Sequence, residues 1–592
     1  VLAGRMLDRM PHRGPDGRGV HTAGPLALGH LRLSIIDLAT GAQPMSTPDG
    51  RFTIVFNGEI YNHRDLRREL EPEYPYRTSS DTESLLHGWR RWGPGMLDRL
   101  EGMFAFAIAD RVEGTVFCAR DRLGKKPFYY VDRPDVFIFA SEIKAILEHP
   151  GIPREVDPEA LELFLALGYV PAPWTMFRGI RKLPAGHWLR AGAKTEIREY
   201  WDVRPETVVP GEEAVRERVR AAVKKRLISD VPVGCYLSGG IDSTIVSGLA
   251  SAEIRGMRTF SAGFSEGPSE KFNADLALAR VAAKQFGTIH EEVLVDQAID
   301  LPALVRQVAW ALDEPLANAA SIPTFLVARL ARERGVPVLL SGDGADELFA
   351  GYDRYLSDAL VSSYRRVPGW ARAMASPLLR LNANLGKLDR KARLDPGPER
   401  YLTWHEAFPR EMRARLIAHD LPGPDFVREV VRRVVDRPVT DCFQERLLYG
   451  DLKLWIAEES NMRMDKMSML ASVETRAPFL DHHLVEFAAG IPFAEKVRGR
   501  RYKALLRDAF ADLLPAEIRT RSKWGFIPPA SEWLRGRLNP LAKEMFSPEK
   551  LRWFRHGTVS ELFDDHVAKR AYHLPRLWIL LAFQLWQETY LS

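Results

Sequence analysis

The 592-residue chain has only three cysteines, Cys118, Cys235 and Cys442, far apart and without a CxxC pair. That scarcity excludes a disulfide scaffold and a cysteine-rich zinc site, and it fits a reducing compartment. No apolar run reaches the ~20 residues that a membrane helix needs. The uncharged stretch 577–587 is too short and reads as a buried C-terminal helix. Neither sign of charge dominates. Lys and Arg number 83 against 78 Asp and Glu, and the resulting +5 is a weak field for this length. It gives no argument for nucleic acid. Repeats and low-complexity tracts are missing, as is a basic-then-apolar segment at the front. What is present is 46% hydrophobic and 27% charged residues, the balance of an ordinary folded protein. A cytoplasmic enzyme of two large or about four small domains is the expectation, at roughly 150 residues per domain.

The first two hundred residues are strand-rich. The run 52–56 ends at Asn57-Gly58, a strong turn signal, and 103–109 and 116–119 read as strands paired across 110–114. A second pair is expected at 128–131 and 136–140, with helices at 65–70 and 82–92. Hairpins in sequence predict antiparallel sheets. The stretch 201–211 (WDVRPETVVPG) loses periodicity and reads as a linker. Beyond it strands at 234–237, 259–264, 292–295 and 336–340 alternate with helices at 213–228, 275–286, 301–311 and 322–334. That alternation predicts βαβ units and a parallel sheet. After about residue 356 the chain reads as helical.

The sharpest motif is Leu237-Ser238-Gly239-Gly240-Ile241-Asp242-Ser243, between a buried strand and a helix. Glycines let the backbone approach an anion, and free N–H groups at a helix start bind phosphate. Ser238 and Ser243 add hydroxyl donors, and Asp242 can hold a Mg²⁺ that bridges phosphates. The GK[ST] ending of a Walker loop is missing; the pattern is similar to the pyrophosphate loop of enzymes that cleave ATP between its α and β phosphates. A second acidic loop, Ser341-Gly342-Asp343-Gly344-Ala345-Asp346-Glu347, also follows a buried strand. Both loops leave the carboxyl ends of parallel strands, where such sheets bind ligands, so Asp242 and Asp346 could share one Mg²⁺. In the first half, Arg32, Asn57 to His63 (NGEIYNH) and Asp81 lie beside apolar strands. A guanidinium pairs with a carboxylate and a carboxylate with an ammonium, which together suit an amino-acid ligand. Each of these charges alone is also what a solvated surface looks like.

These motifs, with HRGPD at 12–16, GMFAF at 102–106, ARDRLG at 119–124, VETRAPFLD at 473–481 and Lys503, resemble the class B, glutamine-dependent asparagine synthetase family over almost the whole chain. The resemblance implies an α+β N-terminal nucleophile hydrolase-like antiparallel sandwich, a glutaminase, over residues 1–200. It implies an α/β parallel-sheet, Rossmann-like ATP-pyrophosphatase domain with a helical extension over 212–592. Arg32 would hold the α-carboxylate of glutamine, Glu59 and Asp81 its α-amino group, and Asn57 and Gly58 the oxyanion. Leu237, Ser238, Gly239, Gly240, Asp242, Ser243, Ala262, Ser341 and Gly342 would contact ATP. Asp242 and Asp346 would bind Mg²⁺, and Lys503 would stabilise charge during acyl-adenylate chemistry. Lys466 is a weaker candidate for that task. Asp343 stands where family members often carry Glu and would act near the ammonia-attack step, one methylene shorter in reach.

The family nucleophile is a cysteine at the mature N-terminus whose own amine acts as base. Val1 stands at the front of this sequence, and Cys118 and Cys235 lie inside strands. The expectation is a chain that lacks its first strand and nucleophile through truncation, natural loss being the alternative. The implied reaction uses glutamine, aspartate and ATP with Mg²⁺, through a β-aspartyl-AMP, with ammonia crossing between the domains. Nucleic acid and membrane are not expected as partners, and a homodimer is compatible. The rivals are an amidotransferase acting on another carboxylate (a peptide or polysaccharide component), a β-lactam-type cyclase, and a catalytically silent partner subunit. The basic run 498–507 could suggest RNA, but no aromatic-interleaved stripe accompanies it.

Overall fold

The computed structural model describes residues 2–265, 269–379, 381–420, 422–423, 425–437, 440–520 and 528–591. In the first half, β1 (Gly17–Ala23) and β2 (Leu26–Arg32) form a hairpin. Strands β3 (Met45–Ser46), β4 (Phe52–Ile60), β5 (Gly102–Asp110) and β6 (Thr115–Arg120) lead to a hairpin, β7 (Tyr129–Arg133) with β8 (Val136–Ala140). Strands β9 (Arg181–Lys182), β10 (His187–Ala191) and β11 (Glu196–Glu199) complete it. One antiparallel sheet runs β11-β10-β6-β5-β4-β3 and a smaller one β8-β7-β9.

The pleat explains the sandwich. Along β5, Phe104, Phe106 and Ile108 face helices His63–Leu70 and Asp81–Trp92, with Leu66, Leu70, Leu85 and Leu86. Ala105, Ala107 and Ala109 face the other way, onto Tyr130 of the smaller sheet and Phe128 just before it. Side chains alternate with period two, and here both faces are covered, so β5 reads as a continuous apolar run.

In the second half, β12 (Val233–Tyr236), β13 (Arg258–Phe264), β14 (Ile289–Val295), β15 (Val338–Leu340) and β16 (Glu474–Arg476) make a parallel sheet in the order β14-β13-β12-β15-β16. The helix Glu212–Lys225 buries Val215, Val219, Ala222 and Val223, a helical spacing of apolar residues, against one face. Val327, Ala328 and Ala331 of helix Ser321–Glu333 cover Phe260, Ala262 and Leu339 on the other. The order reverses beside β12, so the loops after β12 and β15 open at a topological switch point.

Some expectations are corrected. β4 runs on through Asn57-Gly58, where a turn was expected, and pairs there with Ala105 and Phe104. β14 starts earlier and β15 later than the sequence suggested, and the region read as helical contains β16. A three-residue strand is too short to carry periodicity, and its pairing partner lies more than a hundred residues away. Finally, the helices Phe443–Gly450 and Asn461–Leu470 are joined without a break by a π-helix, Asp451–Ser460. The helix Leu574–Tyr590 is buried as expected, with Leu577, Leu580 and Trp586 in a core that spans both halves. Among the described residues, no helix is long and apolar enough to cross a membrane.

The junction of the halves is ionic as well as apolar. Arg120 pairs with Glu458 at 3.2 Å, Lys126 and Arg13 with Asp465 at 3.2 and 2.9 Å, and Lys182 with Glu314 at 2.9 Å. Lys144 and Lys466 both pair with Asp313. Buried pairs largely cancel their desolvation cost; this seam fixes how the halves register more than it adds stability.

Candidate functional site

The first site is a cavity of about 320 Å³ whose lining includes Arg32, Asn57, Gly58, Glu59 and Asp81. β2 supplies Arg32, β4 supplies the next three, and the start of helix Asp81–Trp92 supplies Asp81. Arg32 is oriented by loop carbonyls, donating to Ile36 at 3.1 Å and to Asp37. Burial first, then the neighbouring Asp81 carboxyl, pushes Glu59 well above the usual carboxylate range. Asp81 is also raised, by burial, against a 2.9 Å hydrogen bond from the Ile60 amide. Two buried carboxyls facing one cavity are a receptor for a cation. Glu59 Oε1 is buried without a hydrogen-bond partner among the described residues. The same cavity also reaches Met469 and Glu474 of the second half.

Gly58 has φ +146°, and a Cβ there would lie 2.0 Å from the Met103 carbonyl oxygen. Gly58→Ala is therefore expected to distort the β4–β5 pairing that carries Asn57 and Glu59, and to weaken binding of an amino-acid ligand in the cavity roughly tenfold or more by calorimetry.

The second site lies where β12 and β15 end. The Ser243 hydroxyl closes the first loop, accepting from the Ser238 amide at 3.1 Å and lying 3.0 Å from Ser238 Oγ. Gly239 has φ +76°, and a Cβ would meet the Asp275 carbonyl oxygen at 2.1 Å. Leu237 donates its amide to Phe260 at 2.9 Å, and its carbonyl accepts from Ser261, beside Ala262. Gly342 packs against Asp242, where a Cβ would come within 2.8 Å of the Asp242 Cβ. The two loops thus touch. Ser341 Oγ is buried with no partner among the described residues, as a group awaiting a polar ligand would be.

Asp242 and Asp346 converge on one cation, the Lys503 ammonium, at 2.6 and 2.5 Å. Burial alone would lower the Lys503 pKa, but the two carboxylates outweigh it and raise it. Lys503 is 2% exposed and has left-handed backbone, φ 50°, a strained conformation that non-glycine residues keep mainly where function demands it. Two carboxylates within reach of one ammonium also suit a divalent cation. Asp343 accepts from Ser460 Oγ at 3.3 Å.

Lys466 does not join this cluster: it is buried in the ionic seam on Asp313, over the Tyr129 ring. Cys118 and Cys235 are buried in their strands, and burial pushes the Cys235 thiol up to about 12. Sequence reasoning named the 473–481 motif but gave no task to Arg476, whose guanidinium reaches Glu59 at 3.0 Å.

An asparagine synthase family model matches residues 214–588, and a glutamine amidotransferase domain model matches residues 2–201. The chain is 33% identical to asparagine synthetase (glutamine-hydrolysing) 1 of Bacillus subtilis, over 99% of this chain and 93% of the relative. It is 32% identical to asparagine synthetase (glutamine-hydrolysing) 3 of the same organism, over 90% and 86%. It is 29% identical to amidase chry2 of Gibberella zeae, over 91% and 86%. With an N-terminal antiparallel amidotransferase half, a C-terminal parallel-sheet half and these matches over nearly its full length, the chain belongs to the glutamine-hydrolysing asparagine synthetase family.

Proposed function

We propose that the chain amidates aspartate at the expense of ATP, with glutamine as the nitrogen donor. The supporting observation is the clasp of Asp242 and Asp346 on one buried ammonium at the mouths of adjacent parallel strands. The triphosphate lies over the Ser238–Ser243 loop, where the start of helix Ile241–Glu253 presents free N–H groups. The β-carboxylate oxygen of aspartate attacks the α-phosphorus, the bond to the bridging oxygen breaks, and pyrophosphate leaves. Lys503 neutralises charge that builds on the leaving group. A divalent cation held by Asp242 and Asp346 would supply further charge neutralisation there. Ammonia then attacks the acyl carbon, and AMP departs with the acyl oxygen. Asp343, oriented by Ser460, accepts the proton that the attacking nitrogen sheds. The Arg32, Asn57, Gly58, Glu59 and Asp81 cavity binds glutamine. Closure of the two halves on each other keeps water from the acyl-adenylate.

The test supplies the chain with Mg-ATP, aspartate and ammonium chloride. AMP, pyrophosphate and asparagine are expected in equal amounts. AMP formed only with another carboxylic acid would replace aspartate as the acceptor, and the shorter Asp343 side chain favours that second reading. No AMP with any acid would refute the adenylating role.

A further inference from the structure

Glu59 is bonded to more than its cavity. Its Oε2 accepts from Arg476 Nη2 at 3.0 Å across the junction of the halves, with both side chains almost fully buried. Arg476 closes β16, and its backbone carbonyl accepts the Ser341 amide at 2.9 Å. Ser341 opens the second nucleotide loop. The rest of the guanidinium is committed as well. Nε donates to Glu474 at 2.9 Å, and Nη1 donates to the carbonyls of Arg226 and Ile228 at 2.8 and 2.6 Å. Those carbonyls belong to the segment that leads into β12 and the first nucleotide loop. One residue is therefore bonded to a carboxylate of the first site and to the chain just before both loops of the second.

We infer that Arg476 is a positioning residue that couples the two sites, so that an amino-acid ammonium group at Glu59 and a nucleotide at Ser341 each tighten the binding of the other. This rests on the reading that Glu59 receives the α-ammonium group of glutamine. The physical link is the charge on Glu59. Burial and the neighbouring Asp81 carboxyl disfavour the ionised form of Glu59, whereas an ammonium ligand favours it. An ionised carboxylate adds an ion-pair attraction to the guanidinium's hydrogen bond that a neutral carboxyl lacks. The guanidinium thereby draws in the Arg226–Ile228 carbonyls and the β16 backbone that receives Ser341. The effect must be reciprocal, because coupling is a property of the pair of sites.

Calorimetry on the full chain tests this, with glutamine titrated in the presence and absence of Mg²⁺ and a non-hydrolysable ATP analogue. In the unaltered chain the nucleotide is expected to tighten glutamine binding about fivefold or more. In Arg476→Lys, which keeps the charge but loses the fork, the factor is expected to fall to about one while the analogue still binds. A merely structural role would weaken both ligands and leave their ratio unchanged. An unaltered ratio in the variant, or no coupling in the native chain, overturns the inference alone. Failure of glutamine to bind the native chain overturns the reading of the first site and the inference with it. Should the variant not fold, hydrogen exchange of the native chain decides the matter. Glutamine is expected to slow exchange of the segment 338–343 severalfold, and unchanged exchange there overturns the proposal.

Discussion

Asp346→Asn is expected to lower pyrophosphate release from ATP by about a thousandfold or more, equivalent to roughly 4 kcal/mol of lost transition-state stabilisation. The change is nearly isosteric, so it leaves no cavity and removes only charge. Lys503 would keep Asp242, at 2.6 Å, as its carboxylate partner. The clasp would then offer one anionic arm where a metal–triphosphate needs two. The asparagine carbonyl can still accept from the ammonium, but as a neutral dipole in place of a full charge. A coupled pyrophosphate assay measures the rate, and far-UV circular dichroism checks that the fold is retained. Glutamine binding in the absence of nucleotide should not change. A variant within tenfold of the native rate would show that the Asp242–Lys503–Asp346 clasp is a structural ion cluster and not the seat of ATP cleavage.

Asp313→Ala carries the largest expected stability loss. Asp313 is fully buried, and its Oδ1 lies 2.6 Å from Lys144 Nζ. Its Oδ2 accepts from Lys466 and, at 2.9 Å, from the Ile143 amide. Tyr590 from the C-terminal helix adds a 3.3 Å contact. Alanine leaves two ammonium groups and a backbone N–H without this acceptor, in a place water cannot reach. Removing one partner of a buried ion pair costs about 3–5 kcal/mol. The backbone φ of 64° at Asp313 also disfavours alanine more than the aspartate it replaces. Denaturant unfolding followed by intrinsic fluorescence measures the loss. Asp313→Asn keeps an acceptor for the amide but not the charge, and is expected to fall between the two. A loss under about 1 kcal/mol for alanine would mean that water or Glu142 replaces the carboxylate without cost.

The parts legible in the sequence are those whose chemistry is local. β5 announces itself because every residue from Met103 to Ala109 is buried on one face or the other. The Ser238 loop is legible because strand, glycines and helix start are contiguous. The residues that complete each site come from far away and carry no local mark. Lys503 reaches Asp242 over 261 positions, and Arg476 reaches Glu59 over 417. In the sequence alone, Lys466 was a weaker candidate than Lys503 but still a candidate, and no local feature excluded it. Only packing tells a lysine held by a structural aspartate from one shared by two loop carboxylates.

The π-helical stretch Asp451–Ser460 sets the phase of everything downstream. Glu458 faces Arg120, Glu459 faces Asn318 and Arg463, Ser460 faces Asp343, and Asp465 faces Arg13 and Lys126. Losing one residue from the wide winding would let it relax to ordinary helix. The side chains beyond the lost residue would then be rephased around the axis, because the wide and the ordinary winding advance by different angles per residue. A single-codon deletion here would consequently act on substrate chemistry and interdomain docking at once, although each residue in it could be exchanged singly at far smaller cost. Length in this segment is under stricter constraint than composition.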